Sequence, residues 1–252
     1  MPDPTLPLQA DLLLGALAAF LVGLGKGGLA AMGTFGVPVL ALAMSPIRAA
    51  AILLPVFVFS DVFALWLYRR EFSARNLRIL IPAATLGIGT GWLFAAHLSD
   101  ASVGILIGVL GLGFCANSWR MRGRAAPPHA ADLPRGALWG SVLGFASFVS
   151  HAGAPPFQIY VLPQRLPKLV YAGTSAITFA AVNALKLIPY AALGQLSAPN
   201  LRLSAALLLP ALVGTGVGMK AVRVIPERAY YVFLQVALFV ISVELIVKGL
   251  RS

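Results

Sequence analysis

Four side chains could carry chemistry that their surroundings do not invite: Lys26, Asp61, His151 and Lys186 each stand within or at the break of an apolar run. An ionisable group at the centre of a membrane-spanning helix costs roughly 2.5 to 3.5 kcal/mol on insertion scales, so each is a candidate for handling ions or protons. Lys26 lies in GLGKGGLAAMG and His151 in SHAGAPPF, two stretches where glycine or proline interrupts the run. Asp61 lies in LLPVFVFSDVFALWLYRR and Lys186 in TSAITFAAVNALKLIPYAALG. Lys26, with the N–H groups of a broken helix at Gly27, Gly28 and Thr34, could hold an oxyanion. Its alternative is a lysine snorkelling to an interface.

Lys186, three residues before Pro189, is either a substrate cation or the partner of Asp61, and Asp61 could equally pair with Lys26. With an ordinary pKa of ~6.5, His151 is the proton-linked candidate, or else a neutral side chain bonded to a neighbouring helix. Gly153, Gln158, Ser175, Thr178 and Asn183 complete the candidate substrate-binding set, with Ser150 as a further neutral donor. At ~100° per residue Ser175 and Lys186 share one helix face, with Thr178 and Asn183 flanking it on either side. For each neutral residue alone, helix packing is the competing role.

These side chains must be positioned by helices in a bilayer. Of 252 residues 59% are hydrophobic and only 11% charged, and the mean hydropathy is +0.88, outside the range of ordinary soluble domains. The net charge of +11 sits mostly in short loops, as cytoplasmic retention of basic residues requires, and calls for no nucleic-acid partner. The N-terminal MPDPTLPLQADLLLG has no basic region before its apolar run, so no removable signal peptide is expected.

A helix crossing ~30 Å of hydrocarbon needs about 20 apolar residues. Runs 8–25, 47–68, 77–98, 101–119, 136–150, 169–193, 201–222 and 229–247 qualify or come close. The shorter runs 29–43 and 155–162 read as re-entrant or half-helical pieces. If they do not cross, each half has four crossings and the halves are parallel; if they do, each has five and the halves are inverted. Eight full crossings are the expectation. His97 and Glu244 lie near segment ends and are expected at the interface.

GALAAFLVGLG from Gly15 matches GALWGSVLGFA from Gly136, and the same offset carries Pro46 onto Pro167. RNLRILIPAATLGIGTG then aligns with PNLRLSAALLLPALVGTGVG after a short insertion. Asp61 falls on Asn183 or a near neighbour. The expected fold is therefore an all-α membrane protein of about eight transmembrane helices in two duplicated halves, each with a Gly/Pro-broken re-entrant segment. Residues 1–122 form the first repeat, 123–135 the connecting loop and 136–252 the second repeat. Duplicated halves with interrupted helices point to a transporter whose site lies between them near mid-membrane.

The breaks at 23–33 and 144–156, the helix after each with its small polar stripe, and the basic YRR exit at 68–70 resemble the TauE/SafE family of membrane exporters and permeases. The resemblance covers nearly the whole chain. It implies a small anionic substrate, sulfite or an organosulfonate such as sulfoacetate, carried by alternating access between the repeats. The partners expected are that anion and the lipid bilayer of a bacterial inner membrane, with a homo-oligomer left open. A passive anion channel is the alternative reading.

An intramembrane enzyme is the remaining class, and little speaks for it. Ser150 and His151 are neighbours that diverge by ~100° on a helix, and no GxSxG elbow exists. His97, His129 and His151 are scattered, with no ligand spacing for a metal. The single Cys115 allows no internal disulfide. No GxxxxGK[ST] loop is present, so no nucleotide is implied, and no cofactor is expected.

Overall fold

The computed structural model describes residues 5–94, 100–120, 128–149 and 151–251. Ser150, His97 and part of the connecting loop, including Arg122 and Arg124, lie outside the described residues. The described chain is helical: α1 (Thr5–Lys26), α2 (Ala30–Gly33), α3 (Gly36–Leu40), α4 (Pro46–Leu67), α5 (Ala74–Phe94), α6 (Asp100–Arg120), α7 (Leu133–Val149), α8 (Ala154–Val161), α9 (Lys168–Ala192), α10 (Ala198–Ala206), α11 (Leu208–Val224) and α12 (Glu227–Arg251). A one-turn 3₁₀ helix, Leu162–Gln164, follows α8.

Proline sets several boundaries. Pro46 opens α4, where the Ser45 hydroxyl caps by accepting from the Arg48 amide at 3.4 Å, and Pro167 stands immediately before α9. Both use a residue whose missing N–H would have lacked a helical partner anyway. The run expected at 201–222 is interrupted at Leu207, where α10 meets α11 at 45°. Pro210 explains the bend, because it cannot donate to the Ala206 carbonyl four residues back and its ring crowds that oxygen.

Five described helices are long and apolar enough to cross a membrane, and the bent α10–α11 pair makes a sixth. Helix direction follows from which residues meet. Along α1 and α11, Gly15 faces Leu207, Gly23 faces Ala211 and Gly27 faces Met219, so these helices are parallel. Along α5 and α7, Gly136 faces Ile79, Gly140 faces Ala83 and Gly91 faces Phe148, which is parallel again. By contrast α4 and α9 are antiparallel, with Asp61 beside Asn183 and Glu71 beside Gly173. So are α6 and α12, with Gly104 beside Leu245 and Cys115 beside Gln235.

One end of the molecule collects the close of α4 at Arg69 and Arg70, the start of α5 at Arg75 and Arg78, and Arg135, Arg165, Lys168, Arg223 and Arg228. Helices α1, α4, α6 and α11 run toward this basic end and α5, α7, α9 and α12 away from it. Each pair matched by the sequence alignment, α1 with α7, α4 with α9, α5 with α11 and α6 with α12, therefore runs in opposite directions. The parallel halves implied by eight crossings are not what these directions give. The short runs are the reason: α2 and α3 return along α1, Gly33 meeting Gly25 and Leu40 reaching Gly15, and α8 returns along α7 until Tyr160 reaches Gly136.

Small residues let the paired helices approach. A Cβ on Gly23 would collide with the Ala211 backbone, and one on Gly144 with the Ala84 backbone, the close contact that membrane helices reach through glycine.

Candidate functional site

Two hairpin tips meet inside the bundle. The first is the turn from α1 into α2, where Gly28 adopts φ +114°, a conformation natural to glycine. The second is the turn from α7 into α8, where His151 itself has φ +55°. Left-handed backbone is uncommon outside glycine, though histidine is among the residues that tolerate it. Here the Ala152 amide donates to the Ala146 carbonyl at 3.1 Å, closing the turn.

Lys26 is the last residue of α1, next to the carbonyl end of the helix dipole that favours a cation. It is buried, and its Nζ lies 2.5 Å from Asp61 Oδ1 of α4. The other carboxylate oxygen, Oδ2, accepts from the Asn183 amide of α9 at 2.8 Å. The Phe57 ring centroid lies 5.2 Å from the same ammonium, close enough for a cation–π contribution. Of the partners open to Asp61 in the sequence, the structure gives it Lys26.

Lys186, on α9, is 2% exposed. Its ammonium donates to the Ser147 carbonyl at 3.1 Å and the Ser147 hydroxyl at 3.3 Å, and stands 3.4 Å from His151 Nδ1. Because an ammonium only donates, Nδ1 is the acceptor in this contact and Nε2, 2.8 Å from the Tyr190 hydroxyl, carries the ring proton. Among the described residues no carboxylate lies within ion-pair distance of Lys186.

Lys26, Thr34, His151, Ser175, Asn183 and Lys186 line one cavity, of about 610 Å³ when the space at its open mouth is included, together with Ser147 and an apolar wall that includes Phe57 and Phe179. Thr34 donates its hydroxyl to the Ala31 carbonyl at 2.7 Å, which leaves the oxygen's lone pairs for other partners. The remaining candidates stand off the wall. Thr178 is buried and donates to the Thr174 carbonyl within its own helix. Gly153 packs against Ser147 and Phe179. Gln158 is fully buried in α8, with neither amide atom hydrogen-bonded among the described residues.

The amides of Gly27 and Gly28, expected to serve an anion, donate instead to the carbonyls of Gly23 and Gly25 at 2.8 and 3.1 Å. Their carbonyls are held in turn, Gly27 by the Tyr68 hydroxyl at 2.6 Å and Gly28 by Tyr230 at 2.8 Å. At the second break Pro155 and Pro156 remove donors from the first turn of α8. The cations on this cavity wall are Lys26 and Lys186, and the Gly27 and Gly28 amides are spent within their own turn.

A protein-family model described as "Sulfite exporter TauE/SafE" matches residues 14–245. The chain belongs to this family. No curated protein and no solved structure matches it. Membership makes this TauE/SafE chain a membrane transporter, and its apolar helices make it multi-pass. The match runs through both hairpins and the whole polar cluster.

Ser147 and Tyr190 are the residues of this cluster that the sequence argument passed over. Ser147 falls on Lys26 at the offset that relates Gly15 to Gly136, and that alignment was the available signal. Nothing comparable marks Tyr190, whose position beside a helix end resembles that of any interfacial tyrosine.

Proposed function

We propose that this TauE/SafE chain is a secondary transporter of a small anion, sulfite or an organosulfonate, which binds in the cavity between the two hairpin tips. The observation that carries the reading is Lys186: a buried ammonium on a cavity wall whose partners are neutral. A buried charge without a counter-charge is costly, and an anion in the cavity supplies that counter-charge. Ser175 and Asn183 offer polar groups along the same wall.

The two halves are read as inverted repeats, residues 1–122 and 136–252, which is supported by the opposed directions of the four matched helix pairs. The six apolar spans plus α1 and α7 account for eight long crossings, and the returns through α2–α3 and α8 give each half its odd pass. Alternating access then follows from rocking one half against the other around the cavity. The basic end is read as facing the cytoplasm of a bacterial inner membrane by the excess of Arg and Lys there, with the start of α1 and the close of α12 on the opposite side. His151, joined to Lys186 and Tyr190, is the group placed to couple a proton to the anion.

Counterflow of labelled sulfite or alkanesulfonate in proteoliposomes tests this. Wild-type protein exchanges internal for external anion with saturation, and Lys186→Met abolishes the exchange. Counterflow at the wild-type rate in Lys186→Met removes the cavity from the mechanism; single-channel currents in a planar bilayer would favour a channel instead.

A further inference from the structure

The interior also carries information about how many charges the bound anion bears. Among the described residues the buried side chains with a formal charge are Lys26, Asp61 and Lys186. Lys26 and Asp61 form an ion pair and cancel. The second Asp61 oxygen is taken by the Asn183 amide, so the carboxylate is engaged on both sides. What remains is one positive charge, on Lys186, surrounded by a carbonyl, a hydroxyl and an imidazole. Much of the rest of the wall is apolar, with Val22, Val37, Phe57 and Phe179 among its residues.

We propose that the cavity selects a monoanion with a small apolar body, a simple alkanesulfonate, over dianions and over zwitterions. This rests on the reading of the cavity as the anion site. One negative charge neutralises Lys186 and leaves a complex with no net charge in the bilayer interior, where an unpaired ion is most costly. A second negative charge finds no free cation, because Lys26 is committed to Asp61. An ammonium on the substrate finds no free carboxylate, because Asp61 is committed to Lys26. The phenylalanine and valine side chains accept the carbon body, which sulfate lacks. Singly protonated sulfite meets the charge requirement alone, without the carbon body.

Thermal-shift titration of the purified full-length protein against propanesulfonate, sulfate, sulfoacetate and taurine, at constant ionic strength, tests the proposal, since stabilisation reports affinity for the folded state. Propanesulfonate is expected to bind about tenfold more tightly, or better, than the other three. Equal or tighter binding of sulfate, sulfoacetate or taurine overturns the monoanion rule while leaving the anion site in place. No stabilisation by any of the anions, together with no counterflow, overturns the site and the rule with it. Asp61→Asn raises the interior charge by one and is expected to shift the ratio of sulfate to propanesulfonate affinity about tenfold toward sulfate. An unchanged ratio in folded Asp61→Asn protein overturns the charge count, and the wild-type titration decides by itself if that variant does not fold.

Discussion

The two halves of this transporter solve the same problem differently. In each, the helix before a break is joined by a buried polar contact to the long helix after it: α1 to α4 through Lys26 and Asp61, α7 to α9 through Ser147 and Lys186. The first half places the cation on the hairpin and answers it with a carboxylate. The second places the cation on the long helix and answers it with a serine. Lys26 and Ser147 share the offset that relates Gly15 to Gly136, whereas Asp61 falls beside Asn183 and Lys186 has no charged counterpart. The result is a closed ion pair on one side and an ammonium without a carboxylate on the other, the difference on which the proposed binding role of Lys186 rests.

The largest stability effect should expose that separation. Removing Asp61 as Asp61→Leu leaves Lys26 buried without its counter-charge, an arrangement that costs about 3–5 kcal/mol. Lys26→Met combined with Asp61→Leu removes both charges and should recover most of that loss. Lys186→Met breaks no ion pair and should melt closer to wild type while losing counterflow. Chemical denaturation in detergent reads all three, and an Asp61→Leu protein no less stable than Lys186→Met would erase the distinction between the halves.

That Lys26, Asp61, His151 and Lys186 stand apart was legible in the sequence, because a lysine, aspartate or histidine in an oily run is conspicuous on cost alone. Who pairs with whom was not. Lys26 and Lys186 are both compatible with Asp61 on paper, and only the crossing of α1, α4 and α9 places Lys26 against the carboxylate. The same limit hid the relation between the halves: it depends on whether the short runs 29–43 and 155–162 carry the chain back, and their length gives no answer. The Gly27 and Gly28 amides are unavailable for a local reason, since both close their own turn, and Pro155 and Pro156 remove donors from the start of α8. The bend at Leu207 was not legible, because a proline alone does not decide it: Pro210 stands just beyond the bend, yet Pro82, aligned with it, sits inside an unbroken α5.

Where the halves are alike, paired substitutions should behave alike. Gly23→Ala and Gly144→Ala each drive a methyl into the backbone of a facing helix, at Ala211 and at Ala84. Overpacking of this kind costs about 1–3 kcal/mol, and the two variants should lose similar amounts in the same denaturation assay. A loss confined to one of them would argue that the α1–α11 and α5–α7 contacts are not equivalent.

The hairpin tips differ again on a smaller scale. Tyr68→Phe and Tyr230→Phe strip the hydroxyls that serve the carbonyls of Gly27 and Gly28, leaving buried acceptors unmet at about 1–2 kcal/mol each. Both should destabilise the first tip without touching Lys186. Tyr190→Phe acts on the second tip, where it removes the partner of His151 Nε2, and its effect should appear in the pH dependence of counterflow. If Tyr68→Phe shifts that pH dependence as much as Tyr190→Phe does, proton coupling is not confined to the second tip.

The smallest effect belongs to a pair within one helix, and it tests whether packing rather than glycine content governs α5. A Cβ on Gly87 would meet the Ser141 backbone of α7, whereas one on Gly89 meets nothing within 4 Å. Gly87→Ala should therefore behave like Gly144→Ala. Gly89→Ala adds a methyl to open space and relieves the helix of a residue that disfavours it, so its stability should rise by up to about 1 kcal/mol. Should Gly89→Ala destabilise as much as Gly87→Ala, the α5–α7 face is rotated from the one described, and the parallel direction of α7, on which the proposed inversion of the halves rests, loses its support.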